Sequence, residues 1–356
     1  MASRATVERW LTELTNLPTA SGLEDAVVSW VTRWVSRRDD LVLRTDSGGN
    51  LIITQKGRKR RAPVLAVAHM DHPAFVIQDS DGSFEFRGHV DPPYFQSALI
   101  DVVSRLDGPP GRVTSYDPET QRGKAHFEAD VRAGDIAMWR LHSNQQKEGV
   151  FRAPACDDLA GAAAALAALD RARDRPELRH YGVMLTRAEE VGLIGAIHAV
   201  KHQTIPANAR LLSIEMSREL PTAAIGEGPI VRIGDRSTVF DRELSNRIVR
   251  AADRAEIRFQ RKLMDGGGCE ATAFGVYDYQ ATGLCLALGN WHNRGNLAQV
   301  EAGDHDAAVA MLEEISIDDF HGLVDLLLAA AAAVDEPDLI RETLDHLYEE
   351  NRHYLG

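Results

Sequence analysis

Four short apolar segments, each running into a polar cluster with histidine or glutamate, constrain the fold of this 356-residue chain most strongly. The pairs are 64–68 with His69-Met70-Asp71, 182–186 with Glu189-Glu190, 211–214 with Glu215, and 284–288 with Gly289-Asn290-Trp291-His292. The length and composition of these segments predict buried strands. Because ligands of open α/β sheets bind beyond the carboxyl ends of the strands, we expect the four clusters to meet at one edge of a sheet.

Helical segments alternate with these strands everywhere except in residues 73–150. Helices are predicted over 5–38 with a break near Pro18, 158–173, 192–202, 241–255, 306–334 and 336–350. Residues 73–150 instead contain short alternating segments separated by turns rich in glycine and proline, which predicts a small all-β unit. The sequence therefore predicts an α/β fold with a mixed sheet flanked by helices and an inserted small all-β domain. Residues 1–72 and 151–356 would form the catalytic α/β domain, and residues 73–150 the insertion.

Composition and charge indicate which partners to expect. The formal net charge of −13 disfavours nucleic acid, because its phosphates are bound by clustered lysine and arginine. The sequence starts without the features of a signal peptide, and no apolar segment is long enough to span a membrane. The only cysteines, Cys156, Cys269 and Cys285, give no disulfide framework. We therefore expect a cytoplasmic protein with neither a nucleic-acid nor a membrane partner.

The residue types in the polar clusters suit divalent metal ions, although each cluster alone also has an ordinary explanation. His69 could offer one imidazole nitrogen to a metal while Asp71 accepts a hydrogen bond from the other nitrogen. The same pair could equally be a polar strand end without a ligand. His292 is likewise either a metal ligand or a histidine satisfied within its loop. Ser21-Gly22-Leu23-Glu24 matches a capping box at the start of the second helix.

The carboxylates of the other clusters favour the same interpretation. Asp157 either caps the alanine-rich helix or bridges two metal ions. Glu189 and Glu190 would raise each other's pKa as free neighbours. With metal present, Glu190 would bind it and Glu189 would be free to act as general base. Glu215 either forms a salt bridge with an arginine or is a ligand.

Considered together, the clusters predict one shared site for two divalent metal ions. The ligands would be His69, Asp157, Glu190, Glu215 and His292. Zinc accepts such nitrogen and carboxylate ligands, and cobalt and manganese are alternatives. One shared carboxylate would allow five ligands to hold the pair.

Three motifs resemble those of the tetrahedral (glutamyl) aminopeptidase family of co-catalytic zinc exopeptidases. They are Ala68-His69-Met70-Asp71, Asp157-Asp158-Leu159-Ala160-Gly161, and Thr186-Arg187-Ala188-Glu189-Glu190-Val191-Gly192-Leu193 followed by Gly195-Ala196. The resemblance covers nearly the whole chain, including the insertion. It implies a zinc exopeptidase fold in which His69 and Glu215 bind one ion. Glu190 and His292 would bind the other, with Asp157 as the bridge.

The resemblance further implies that Glu189 is the general base and that Asp71 is the partner of His69. The insertion would mediate assembly into a homo-oligomer and control substrate access. We therefore expect an aminopeptidase that hydrolyses the N-terminal amide bond of short peptides through a water activated by two metal ions.

Three departures from the family pattern affect the expected substrate. Glu215 stands where the family usually has aspartate, His72-Pro73-Ala74 replaces Glu-Ile-Gly, and the segment around His292 lacks the usual neighbours. Related carboxypeptidases and deacylases often have glutamate at the position of Glu215. A carboxypeptidase, a dipeptidase or an N-acyl amino-acid deacylase, acting on acylated amino acids, is therefore the first alternative. A catalytically silent binding or scaffold protein is the alternative from another class.

Overall fold

The computed structural model describes residues 2–57, 61–141, 144–337 and 339–355. The chain begins with α1 (Arg4–Leu14), α2 (Asp25–Ser36), β1 (Leu41–Thr45), β2 (Leu51–Gln55) and β3 (Val64–His69). It continues with β4 (Ala74–Ile77), β5 (Ser83–Arg87), β6 (Leu99–Val102), β7 (Pro110–Asp117), β8 (Arg122–Phe127), β9 (Ile136–Trp139), β10 (Gln145–Lys147) and β11 (Val150–Ala153). The next elements are α3 (Leu159–Ala172), β12 (Tyr181–Thr186), α4 (Ile194–Lys201), β13 (Arg210–Arg218), β14 (Ile230–Gly234), α5 (Arg242–Arg254) and β15 (Gln260–Leu263). The last are α6 (Glu270–Val276), β16 (Gln280–Leu288), β17 (Arg294–Gly295), α7 (Leu297–Glu301), β18 (Val309–Ala310), β19 (Glu313–Ser316), α8 (Ile317–Ala333) and α9 (Leu339–Asn351).

The largest sheet has eight strands in the order β1-β2-β12-β3-β13-β16-β14-β15. Its centre, β12-β3-β13-β16, is parallel, whereas β2 and β14 run antiparallel to their central neighbours. These four central strands are the apolar segments identified in the sequence, and they are buried because helices cover the sheet. The carboxyl ends of the central strands therefore meet at one edge, as predicted.

The insertion contains a closed barrel of the strands β4-β5-β8-β7-β6-β9. Its interior is aromatic, and the Phe75 ring contacts Phe84, Phe86 and Trp139 at centroid distances of 4.8–5.0 Å. Beyond the barrel, β11 pairs with β19 of the α/β part, which brings Ala153 opposite Glu313. The predicted α/β fold with an inserted all-β unit is confirmed.

Helix α3 packs almost entirely inside the protein, against the sheet and against α1 and α8. Its alanines favour helix and allow close packing. A Cβ on Gly161 would lie only 2.0 Å from Asp158 Oδ1 and 2.6 Å from the side chain of Ile214, so only glycine fits there. This close approach places the start of α3 directly beside β13.

Two local predictions are wrong. The helix predicted over 306–334 begins only at Ile317, because residues 313–316 form β19 and pair with β11. The capping box at Ser21 does not form, since Glu24 is the N-cap residue of α2 without a side-chain cap and Ser21 donates to Asp71 instead. Among the described helices, none combines the length and the apolar character needed to cross a membrane.

Candidate metal centre

The side chains predicted as metal ligands lie together at the carboxyl-terminal edge of the parallel strands. His69 ends β3, Glu215 lies within β13, and Glu190 and His292 follow β12 and β16. Asp157 stands just before α3. None of these five side chains is more than 9 % exposed. Residues far apart in the sequence therefore form one buried cluster.

The carboxylate of Asp157 stands between the two imidazoles. Its Oδ1 lies 3.4 Å from Nε2 of His69, and its Oδ2 lies 3.5 Å from Nε2 of His292. Glu215 Oε1 is 3.5 Å from the first of these nitrogens, and Glu190 Oε1 is 3.2 Å from the second. The cluster thus has two halves, each with one imidazole and one glutamate, that share Asp157.

Several of these atoms are buried polar groups without a hydrogen-bond partner among the described residues. They are His69 Nε2, Asp157 Oδ1 and Glu190 Oε1. Ligand atoms of the same three residues all lie within 4.8 Å of one another. Burying polar atoms without partners is costly, and nitrogen and carboxylate oxygen are ligands of zinc. The residues present therefore fit a divalent metal ion.

Both histidines are held in the tautomer that metal binding requires. Nδ1 of His69 donates to the carbonyl oxygen of Asp71 at 3.0 Å, and Nδ1 of His292 donates to the carbonyl oxygen of His89 at 2.9 Å. A carbonyl oxygen can only accept, so each Nδ1 carries a proton and each neutral ring presents a lone pair at Nε2. His89 belongs to the barrel, and the insertion thereby contributes a contact to the cluster.

Asp71 has a different arrangement from the predicted one. Its carboxylate is 3.6 Å from His69 Nδ1, farther than its own carbonyl oxygen. The carboxylate instead accepts hydrogen bonds from the hydroxyl of Ser21 at 2.6 Å and from the backbone amides of Glu189 and Glu190 at 3.0 and 3.1 Å. Asp71 therefore fixes the turn that carries both glutamates.

Glu189 lies beside the cluster, with Oε2 3.9 Å from His69 Nε2. Burial, together with the charge of Glu215, raises the pKa of Glu189 well above its usual range. A carboxylate with a raised pKa is a better proton acceptor, which suits a general base.

The charges of the cluster shift the pKa of each imidazole upwards. Burial alone would lower the pKa of His69, but the nearby carboxylates of Asp157 and Asp71 raise it well above its usual value. Burial alone would also lower the pKa of His292. The carboxylates of Glu190 and Asp157 outweigh this effect and raise the pKa well above its usual value. Protons thus compete strongly for the nitrogens that would bind metal.

Sequence reasoning missed Glu313, which connects two parts of the cluster. Its Oε2 accepts hydrogen bonds from the backbone amides of Cys156 and Asp157 at 2.7 and 3.0 Å, and its Oε1 accepts one from the amide of His292 at 2.8 Å. The residue is fully buried. No local signal marks Glu313, because only the pairing of β19 with β11 brings it here.

Two residues beside predicted ligands also contact the cluster. The indole Nε1 of Trp291 donates to Asp157 Oδ2 at 3.1 Å. Nδ1 of His72 contacts the carbonyl oxygen of Asp157 at 2.7 Å, and its Nε2 contacts Asn293 Oδ1 at 3.1 Å. The adjacency of His72 to the His69–Asp71 motif is the only sequence signal for this contact.

A cavity of about 1230 Å³ adjoins the cluster. Its wall includes Asp157, Glu189 and His292, as well as Pro92 of the barrel part and Gly267 of a loop in the α/β part. The cavity thus lies between the barrel part and the α/β part, with the buried carboxylates of the cluster and the imidazole of His292 on its wall. It can admit a small substrate.

Comparison of the sequence with known proteins gives two consistent matches. The sequence model of the M42 glutamyl aminopeptidase family matches residues 116–310. A putative aminopeptidase of Acetivibrio thermocellus is 22% identical over 290 residues, which cover 73% of this chain and 83% of that protein.

The fold resembles solved peptidase structures. The TET1 peptidase of Pyrococcus horikoshii, which can assemble into a tetrahedron or a large octahedral shell, matches with a TM-score of 0.74 and 22% identity over 92% of this chain and 99% of its own. The TET aminopeptidase of a marine sediment Thaumarchaeota archaeon matches with a TM-score of 0.74 and 19% identity over 96% and 99%. The M18 family aminopeptidase of Thermotoga maritima, at 13% identity, covers 93% and 96% with a TM-score of 0.66.

Proposed function

Because this chain belongs to the M42 glutamyl aminopeptidase family and is therefore a peptide-bond hydrolase, we propose that it is a metal-dependent exopeptidase that removes the N-terminal residue from short peptides. The observation that carries the proposal is the position of Asp157 between the imidazoles of His69 and His292, each within 3.5 Å. A carboxylate that faces two imidazoles with its two oxygens is the arrangement expected of a bridging ligand.

We propose the ligands residue by residue. His69 and Glu215 would hold one divalent ion. Glu190 and His292 would hold the other, with Asp157 shared. When bound, two zinc ions, or cobalt or manganese, would lower the pKa of water and polarise the scissile carbonyl.

Glu189 would act as the general base, with a carboxylate oxygen accepting a proton from water and returning it to the leaving amine. The raised pKa of Glu189 favours the first transfer. Asp71 would hold Glu189 in place through the backbone amide that it binds at 3.0 Å. The side chain that moves the proton is thus positioned by a buried, fixed carboxylate.

The alternative within the enzyme class is a carboxypeptidase, dipeptidase or N-acyl amino-acid deacylase. It is favoured by Glu215, since glutamate is frequent at this position in such enzymes and aspartate in aminopeptidases. A scaffold without activity is disfavoured by membership of a peptidase family and by the cluster of His69, Asp157 and Glu190, which could hold a metal ion.

A substrate screen of the zinc-loaded protein tests the proposal. Peptides with a free amino terminus, peptides with a blocked amino terminus, and N-acyl amino acids would be incubated with protein of known metal content. We expect release of the N-terminal residue from the free-amine set and no hydrolysis after zinc removal. Release from N-acetylated peptides alone would instead establish the alternative activity.

We further propose that the protein is a cytoplasmic homo-oligomer in which residues 73–150 mediate assembly and control substrate access. Structural neighbours include a dodecamer and a tetrahedron-forming peptidase, and Cys156, Cys269 and Cys285 are all free and buried. Light scattering coupled to size-exclusion chromatography would measure the mass. A monomer at micromolar concentration would contradict the assembly.

A further inference from the structure

A groove between α1 and α2, on a different surface from the metal centre, combines tryptophan with arginine. Its cavity has a volume of about 920 Å³, and its wall includes Trp10, Trp30 and Trp34 together with five arginines. Among the described residues, Glu13 is the only acidic one on this wall. In a chain with a formal net charge of −13, this surface, called here the α1/α2 groove, is locally cationic.

The arginines of the α1/α2 groove differ in whether the protein already provides them with partners. Arg38 lies over the ring of Trp34 at 3.6 Å and pairs with Asp170 at 2.9 Å, which fixes the aromatic floor. Arg33 and Arg37 are exposed, and in the described part of the chain neither guanidinium has an ion-pair or hydrogen-bond partner. The groove therefore presents two cations that can bind an acidic partner.

Helix α9 carries an apolar face that no other part of the protein covers. None of its described side chains is buried. Leu344, Leu347 and Tyr348 share one face, because residues three and four positions apart in a helix are neighbours, and they are 60, 49 and 56 % exposed. Large apolar side chains exposed together on one face of a helix mark a contact surface.

The charge of α9 is complementary to that of the α1/α2 groove. Four carboxylates stand in the helix against a single arginine, Arg341. Two of the carboxylates, Glu342 and Asp345, have no ion-pair partner among the described residues. An acidic helix with an apolar face suits a cationic groove with an aromatic floor, as in other helix-in-groove contacts. A second α9 would instead bring like charges together.

The helix and the groove do not meet within one chain. The segment before α9 is held at α5, where Arg250 donates to the carbonyl oxygen of Pro337 at 3.0 Å and Arg254 pairs with Glu336 at 2.6 Å. The groove is formed by α1, α2, their connection and the end of α3, and no described residue of α5 or α9 lines it. A second copy of the chain can bring the two surfaces together.

We propose that α9 of one copy docks into the α1/α2 groove of a second copy. The apolar face of α9 lies toward the tryptophans, and Glu342 and Asp345 pair with the two arginines that have no partner. Neither surface contributes to the wall of the cavity beside the metal centre. The contact is therefore an assembly contact separate from the one proposed above for residues 73–150.

Crosslinking between two differently tagged, co-expressed copies tests the contact directly. One copy carries Thr6→Cys in the groove and the other carries Thr343→Cys on α9, and a short bismaleimide joins cysteines that lie close together. We expect a crosslinked pair that contains both tags. Thr12→Cys, at an exposed position of α1 outside the groove, should give about tenfold less when it replaces Thr6→Cys.

The natural cysteines do not interfere, because all three are buried, and unmodified protein should give no crosslink. Other occupants of the groove would give other products. A crosslink formed only when one chain carries both Thr6→Cys and Thr343→Cys would show that α9 docks within its own chain. A crosslink between two Thr343→Cys copies would show that α9 pairs with α9. Either product in place of the mixed pair, or the absence of any product, would overturn the proposal.

The apolar part of the contact is tested by Leu344→Asp in the copy that carries Thr343→Cys. The crosslinked yield at limiting protein concentration should fall about tenfold to a hundredfold, because a charge replaces a buried leucine. Val239→Asp, at an apolar side chain that is 81 % exposed elsewhere on the surface, should leave the yield unchanged. An unchanged yield with Leu344→Asp would count against docking through this face.

Charge reversal tests the pairing of carboxylates with arginines. Glu342→Lys with Asp345→Lys in one copy should lower the yield about threefold to tenfold, and Arg33→Glu with Arg37→Glu in the other copy should do the same. The two reversed copies together should recover the yield, because opposite charges face each other again. A combined yield below that of either single reversal would contradict the pairing.

The crosslink is independent of metal and of turnover, which separates this inference from the proposed function. Leu344→Asp should leave kcat/KM for peptides unchanged, since α9 lies outside the cavity beside the metal centre. Peptide hydrolysis without the mixed crosslink would refute this inference alone. The mixed crosslink without hydrolysis of any peptide would refute the peptidase function alone.

Discussion

The side chain of Glu313 accepts a hydrogen bond from the backbone amide of His292, 21 positions earlier in the chain, at 2.8 Å. Through its other oxygen, Glu313 accepts a hydrogen bond from the amide of Asp157 at 3.0 Å. The buried carboxylate of Glu313 thus fixes the backbone of Asp157 relative to the backbone of His292. The relationship makes Glu313 a positioning residue for the proposed metal centre.

Replacing Glu313 with glutamine should weaken metal binding. An amide retains only one acceptor oxygen and places an NH₂ group against a backbone N–H. We expect zinc affinity to fall about tenfold to a hundredfold, the range found for groups that orient metal ligands. Competition with a chromogenic chelator would measure it. The adjacent variant Glu314→Gln, which affects a partly exposed pair with Arg152, is the control, and equal affinities of both variants would contradict the role.

Replacing Glu189 with glutamine should abolish most activity while zinc stays bound. Glutamine keeps the size of the side chain but accepts no proton, so kcat should fall about a hundredfold to ten-thousandfold. Steady-state kinetics and elemental analysis of the same preparation would check both statements. Glu119→Gln, in an exposed turn of the barrel, serves as control. Turnover close to that of the unmodified protein would reject Glu189 as the base.

Replacing Asp157 with alanine should remove both metal ions, because each half of the cluster depends on one of its oxygens. The variant His69→Ala, which affects one half only, should retain up to one ion per chain. Elemental analysis after gel filtration would give the stoichiometry, with circular dichroism to verify folding. Two ions bound to the folded Asp157→Ala protein would contradict the bridging role.

The stability of metal-free protein should decrease as pH rises from about 4.3 to 7. Burial raises the pKa of Glu270 to about 7, and burial together with Asp157 raises that of Glu215 to about 7, whereas an unfolded glutamate titrates near 4.3. Within this window the folded state holds protons that the unfolded chain has released, so stability is greatest below it and is lost as pH rises through it. The raised pKa values of His69 and His292 act in the same direction.

Melting temperatures from pH 5 to 8 would follow this loss of stability. Over this range the free energy of unfolding should fall by about 1–3 kcal/mol for each fully buried group. Zinc should reverse it, because metal binds the deprotonated ligands. Glu270→Gln removes one titrating group and should flatten the slope of the metal-free protein. A melting temperature that rises with pH in the absence of zinc would contradict the assignment.

The sequence predicted the features that depend on local pattern. Apolar segments ending at polar clusters revealed the central strands, and their motifs identified a family that the comparisons confirm. The fold class and the enzyme class were correct for the same reason. Asp157 was singled out because it lies just before a helix whose alanine content is itself conspicuous.

Features that depend on distant parts of the chain were not predicted. β13 continues to Arg218 because it pairs with β16 along its whole length. Ser21 binds Asp71 across 50 residues instead of capping α2. The carbonyl of His89 and the carboxylate of Glu313 reach the cluster only once the barrel and β19 have docked. A local pattern contains no information about such pairings.

Because Nδ1 of His292 donates to the carbonyl oxygen of His89, the insertion cannot be removed without losing a contact of the cluster. Excising the barrel part would remove the acceptor that orients the imidazole of His292, so the α/β part alone would have this proposed metal ligand free to rotate. In evolutionary terms, changes to the barrel part are constrained at His89, whose carbonyl oxygen orients the imidazole of His292. We therefore expect the surface of the insertion to vary in sequence among related proteins, but not around His89.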